Sequence, residues 1–96
     1  MPKGYWMVRV DVTDPDNYPQ YLQAGRAAME KYGANFLVRG GDHHVVEGQS
    51  RSRHVIVEWP SYAAAFEAYG SPEYQAAAKL RQQFGETDFV IIEGAE

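Results

Sequence analysis

Tyr5-Trp6-Met7-Val8-Arg9-Val10-Asp11-Val12 is the stretch that decides the fold. In an extended chain Trp6, Val8, Val10 and Val12 share one face, and Tyr5, Met7, Arg9 and Asp11 share the other. A period of two carried by β-branched and aromatic residues predicts a strand with one face on a core. Further strands are expected at residues 34–40 (Ala34-Asn35-Phe36-Leu37-Val38-Arg39-Gly40), at His54-Val55-Ile56-Val57-Glu58-Trp59 and at Phe89-Val90-Ile91-Ile92-Glu93. Gly40-Gly41 bends the second of these, with pairing expected to resume over His43-His44-Val45-Val46-Glu47 and a hairpin loop at Gly48-Gln49-Ser50-Arg51.

Between the strands the period changes. Asp14 followed by Pro15 supplies an N-cap and a first helical residue, and Tyr18, Leu22, Gly25, Met29 and Tyr32 recur at helical spacing, predicting a helix over 15–32. Pro19 complicates that start; with Asn17 as cap, the helix begins about a turn later. Gly33 closes it. Ser61 caps a short alanine-rich helix to Tyr69. Gly70-Ser71-Pro72 reads as stop and restart: Gly70 as C-terminal cap, Ser71 as the next N-cap, Pro72 at the first position. The restarted helix carries Tyr74, Ala77, Leu80 and Phe84 and ends near Gly85. The order βαββαβ, with its second helix broken, gives a ferredoxin-like α+β domain spanning residues 1–96: a four-stranded antiparallel sheet with the helices on one face. The opposite sheet face is left for water or for a second copy.

Composition narrows the function. The chain has 96 residues, a net charge of −4, no cysteine, and 7 Tyr, 4 Phe and 2 Trp. One domain is the natural count. The negative charge argues against a nucleic-acid partner, which needs a basic patch. Absence of cysteine removes disulfides, thiolate metal sites and thiol nucleophiles, and fits a reducing compartment. Met1-Pro2-Lys3-Gly4 runs straight into a charged strand, and no stretch approaches the ~20 apolar residues of a membrane helix. The expected location is the cytoplasm, with no membrane partner.

Gly4-Tyr5-Trp6, Val10-Asp11-Val12, Phe36-Leu37-Val38-Arg39-Gly40-Gly41, Glu47-Gly48, Glu58-Trp59-Pro60-Ser61, Ser71-Pro72-Glu73-Tyr74-Gln75 and Ile92-Glu93-Gly94 resemble, in order and spacing, small bacterial proteins of the domain of unknown function 1330 family. Two residues depart from its pattern: Pro19 in the first helix, and Trp59 where a Phe is more usual. The resemblance implies a dimeric α/β barrel, in which two ferredoxin-like protomers pack sheet against sheet. Its wider superfamily includes cofactor-free monooxygenases, muconolactone isomerases and haem-degrading enzymes, so the resemblance leaves open whether this chain is an enzyme. It carries over no catalytic residue.

Alternation assigns Val90 and Ile92 to the core with Trp6, Val8, Val10 and Val12. It leaves Arg9, Asp11, Arg39, His54, Glu58 and Glu93 on the uncovered sheet face. Buried in a dimer, such charges must be paired or functional. The functional alternative is a polar ligand site in which Arg9 or Arg39 fixes an anion and His54 or Glu58 moves a proton, with Asp11 as a further ligand-binding candidate. Inter-sheet ion pairs and rim charges are the competing account. Asp42-His43-His44 invites a metal reading, but adjacent strand residues point to opposite faces, so no metal site is expected. No nucleotide-binding or nucleophile motif occurs, and no cofactor is expected. Arg51 and Arg53 flank a loop and read as solvated. Tyr18, Tyr21, Tyr32, Tyr62, Phe66, Tyr69, Tyr74 and Phe84 read as core filling on the helices, beside alanines that leave room for a cleft between helices and sheet. Tyr69 and Tyr74, flanking the helix break, are the candidates for its mouth. The expected function is a small-molecule enzyme or binder acting on an apolar or aromatic acid. The alternative is a non-catalytic structural or ligand-sequestering homodimer.

Overall fold

The computed structural model describes residues 2–96. Strand β1 (Gly4–Val12) is followed by helix α1 (Tyr18–Tyr32), strands β2 (Asn35–Arg39) and β3 (Arg53–Trp59), helices α2 (Tyr62–Gly70) and α3 (Pro72–Phe84), and strand β4 (Gly85–Glu93). The strands form one antiparallel sheet in the order β2-β3-β1-β4, the ferredoxin-like arrangement, with the helices on one face. The two layers make a slab of 37 × 34 × 16 Å.

Helix α1 takes the later of its two possible starts. Asn17 is the residue before it, and its N–H and side-chain amide both donate to the Asp14 carboxylate, at 3.3 and 2.8 Å. Pro19 then sits in the first turn, where a missing N–H costs nothing because those donors have no helical partner. Gly33 closes the helix in the left-handed conformation (φ 79°). Ser61 Oγ accepts from the Ala64 N–H, and Ser71 Oγ accepts from the Tyr74 N–H, so both serine caps form as read. Gly70, expected as a C-terminal cap, lies inside α2 without positive φ. The break is made by extended Ser71 alone, whose hydroxyl also donates back to the Ala68 carbonyl at 2.7 Å.

Directly paired residues share a face, so register fixes what each strand buries. In β1 and β3 the expected alternation holds: Trp6 and Val8 pair with Val57 and Val55 toward the helices, and β3 starts one residue earlier than expected, with Arg53 opposite Val10. In β4 it is reversed. Ile91 pairs with Trp6 and Phe89 with Val8, so these two pack on the core, while Val90 and Ile92 are 43% and 46% exposed on the open face. Glu93 pairs with Gly4 and so shares the helix-side face rather than the polar one. Residues 41–52 form no strand, and the expected pairing over 43–47 is absent. The bend expected at Gly40-Gly41 comes earlier. Phe36 pairs with Val57 but Val38 with Ile56, so Leu37 is an extra residue and everything after it turns over.

The core centres on Trp6, whose ring lies 4.6 Å from Trp59, 4.8 Å from Tyr74 and 5.0 Å from Phe89. Its indole N–H donates to the Ala65 carbonyl at 2.9 Å, joining β1 to α2. Gly25 and Ala77 are small enough to bring α1 and α3 together. Tyr62 and Phe66 are not core residues; they stack edge to face at 4.9 Å on the exposed side of α2.

Candidate functional site

A cleft of about 460 Å³ lies between α1 and the helix-side face of the sheet. Its apolar walls include Trp6, Val8, Val10, Tyr18, Tyr21 and Met29. Its charges are Arg26, Arg39, Arg53 and Glu30, so a chain of net −4 lines this concavity with an excess of positive charge. No carboxylate among the described residues lies within 4.0 Å of any of the three guanidinium groups.

The fold puts two of these arginines there for separate reasons. Arg39 follows the bulge at Leu37, so it pairs with Val55 on the helix side, not with the polar face expected for it. Its guanidinium lies over the Phe36 ring at 3.9 Å, a cation–π contact that holds it at the sheet edge. Arg53 shares parity with Val55, Val57 and Trp59 and pairs with Val10. Its guanidinium is packed against the backbone of Gly40, a position with φ 69° where an added Cβ would meet that guanidinium. Its Nε is buried and has no hydrogen-bond partner among the described residues. Arg53 is therefore not the solvated loop residue expected; β3 extends back to it, and its parity with Val55 and Val57 sets it on the core side.

Beside the cleft is a buried polar chain. Arg81 Nη1 donates to the Tyr74 hydroxyl at 2.7 Å, and the Tyr74 and Tyr21 hydroxyls are 2.7 Å apart. Tyr74 is 0% and Arg81 4% exposed. Burial pushes the Tyr74 hydroxyl far above the ordinary phenol range, so it stays protonated. Arg81 sits among the rings of Phe89, Tyr74 and Tyr21 at 5.2, 5.8 and 5.9 Å, which compensates part of its desolvation. Tyr74, expected at the mouth, is thus wholly internal. Tyr69 packs against Phe89 and Trp6 and does not line the cleft. Arginine is ordinarily solvated, so composition does not single out Arg81; its position on the Tyr74-Ala77-Ala78 stripe is the signal in the sequence.

The remaining expected residues lie on the open sheet face. Arg9 pairs with His54, and the His54 ring rests 4.4 Å from that of His43. Glu58 accepts from the Tyr5 hydroxyl at 3.2 Å and from the Asn35 amide at 3.3 Å. Asp11 anchors the 41–52 loop: it accepts from the Ser52 N–H and from Arg51, each at 2.9 Å. The Ser52 amide and the Arg51 guanidinium hold its carboxyl below the usual range. Arg51 also meets Asp88 at 2.9 Å and Glu86 at 3.4 Å, so it too is engaged rather than simply solvated. No group of three or more metal-ligating side chains is present among the described residues. No helix among them is long and apolar enough to cross a membrane.

Sheet order, helix layer and cleft define a ferredoxin-like α+β protein with a small-molecule-sized cavity under its first helix. The model of the Domain of unknown function (DUF1330) matches residues 3–95, and the chain belongs to that family. No curated protein matches it. Among solved structures, it is similar to a protein of unknown function from Rhodopseudomonas palustris, with 18% identity and a TM-score of 0.77 over 99% of this chain and 84% of that one. It is also similar to SnoaB, a cofactor-independent oxygenase from Streptomyces nogalater, with 11% identity and a TM-score of 0.64 over 100% and 96% of the two chains. A third similar structure is a dimeric ferredoxin-like protein of unknown function from Thermobifida fusca, at 16% identity and a TM-score of 0.63 over 96% and 91%. At these identities the likeness is one of fold.

Proposed function

We propose that the cleft binds a small apolar or aromatic acid, its hydrocarbon against Trp6, Val8 and Tyr18 and its carboxylate toward Arg39 and Arg53. The observation that carries this is Arg53: a guanidinium on the cleft wall with no carboxylate within 4.0 Å among the described residues. An anion entering the cleft neutralises that guanidinium through its Nη groups, and a carboxylate suits such paired donors. The volume falls in the ~300–1,000 Å³ range of small-molecule sites. In this reading His54, Glu58, Arg9 and Asp11 serve the open face. There Met7, Val90 and Ile92 supply apolar surface for a second copy of the chain in a cytoplasmic homodimer. The dimeric Thermobifida protein supports that assembly, and SnoaB supports a cofactor-independent reaction on the bound acid.

Calorimetric titration with 2-naphthoate, and with neutral 2-naphthamide as control, tests the site. Arg39→Ala and Arg53→Ala are each expected to weaken 2-naphthoate about tenfold, the scale of one charge-assisted hydrogen bond, and to leave 2-naphthamide unchanged. Equal binding by wild type and both variants refutes the assignment. Loss on His54→Ala or Glu58→Ala instead moves the site to the open face.

A further inference from the structure

The Arg81–Tyr74–Tyr21 chain has a direction, and the direction has a use. Arginine only donates, so Tyr74 oxygen is the acceptor at 2.7 Å from Arg81 Nη1. The Tyr74 proton then needs an acceptor of its own, since a fully buried donor left unpaired is costly. The acceptor in reach among the described residues is Tyr21 oxygen, 2.7 Å away. If Tyr21 donated to Tyr74 instead, the Tyr74 proton would be stranded in the core. Each link polarises the next, from a full cation outward. The chain therefore ends on the Tyr21 proton, on a residue of the cleft wall, and among the described residues no acceptor takes that proton.

We infer that Tyr21 donates a hydrogen bond to a second oxygen of the ligand, with Tyr74 and Arg81 as positioning residues that fix the direction of its proton. This deepens the cleft reading and rests on it: the carboxylate lies toward Arg39 and Arg53, and the second oxygen toward Tyr21. The ligand class is then a hydroxy or oxo acid on an apolar frame. A buried cation behind two hydroxyls favours an oxygen carrying negative charge, such as a phenolate or enolate.

The test compares 2-naphthoate with its 1-hydroxy, 3-hydroxy and 6-hydroxy derivatives by fluorescence titration, which places the second oxygen at three positions around one frame. Wild type is expected to prefer at least one hydroxynaphthoate over 2-naphthoate by five- to tenfold. Tyr21→Phe is expected to abolish that ratio, whatever its effect on 2-naphthoate itself. Tyr74→Phe, which loosens the Tyr21 hydroxyl without removing it, is expected to lower the ratio two- to threefold. A general structural defect weakens parent and derivatives alike and leaves the ratio standing; that result overturns the inference. A wild type that takes 2-naphthoate with no preference for any hydroxyl overturns it too and spares the cleft reading. A wild type that takes none of the four overturns both.

Discussion

Tyr74→Phe is expected to destabilise the protein, and Arg81→Met is expected to restore about half of the loss. Tyr74 is fully buried, and its hydroxyl is the recorded hydrogen-bond partner of a guanidinium that is itself 4% exposed. Removing that oxygen leaves a buried charge with its Nη1 unpaired beside an Nε that already has no partner. Stranding a donor costs about 1–3 kcal/mol, more when it is charged, and breaking a buried charged contact reaches about 3–5. About 3 kcal/mol is therefore expected for Tyr74→Phe. Arg81→Met alone removes the charge, keeps the length of the side chain and places sulfur among the rings of Tyr21, Tyr74 and Phe89. It forfeits cation–π attraction but also the desolvation cost, so it is expected within about 1 kcal/mol of wild type. The double variant should then lose about 1.5 kcal/mol rather than the sum of the two. Urea unfolding followed by tryptophan fluorescence measures all four corners of the cycle, with Trp6, 4.8 Å from Tyr74, as reporter. Additive losses, with a coupling below about 0.5 kcal/mol, would refute the claim that Arg81 depends on Tyr74.

Gly4→Ala is expected to cost about 2–4 kcal/mol by the same measurement: the new Cβ meets the Ser61 carbonyl and lies 2.7 Å from the Tyr62 Cα, so β1 and α2 must part. The entropic gain of about 0.4–1 kcal/mol from replacing glycine is too small to reverse the sign. Asp11→Asn is expected to speed hydrogen exchange at the Ser52 amide. In the wild type the same amide should lose protection on acidification. Because the folded Asp11 pKa is depressed, its contribution is present above the ordinary carboxyl value of about 3.9 and lost as pH falls through the folded one. A protection factor at the Ser52 amide that is independent of pH below 4 would dissociate the loop from Asp11.

What the sequence disclosed depended on contrast between neighbours. Alternating polar and apolar residues in β1 and β3 gave their faces unambiguously. Phe89-Val90-Ile91-Ile92 has no such contrast, so only pairing with β1 could say which two residues face inward. The Leu37 bulge is equally silent in a run of apolar residues, yet it carries Arg39 from one side of the sheet to the other and so changes which arginines can meet a ligand. Arg53 was legible, since its parity with Val55 and Val57 follows from sequence alone. Arg81 was legible in position but not in role, because nothing local announces that Tyr74 and Tyr21, on two different helices, will converge on it.

The pairing of β1 with both β3 and β4 also governs how the chain reaches its native state. The first strand is an inner strand, and its far edge is closed only by the last, through a ladder running from Gly4 opposite Glu93 to Val12 opposite Gly85. During synthesis the backbone groups of that edge stay unsatisfied until everything between has been made. Trp6 likewise lacks Phe89 as its neighbour until then. Contacts of such long sequence separation slow folding, because loop closure must precede any return from the contacts. The interval in which β1 offers an open, apolar edge is the one in which a nascent chain of this design has most need of protection from its neighbours.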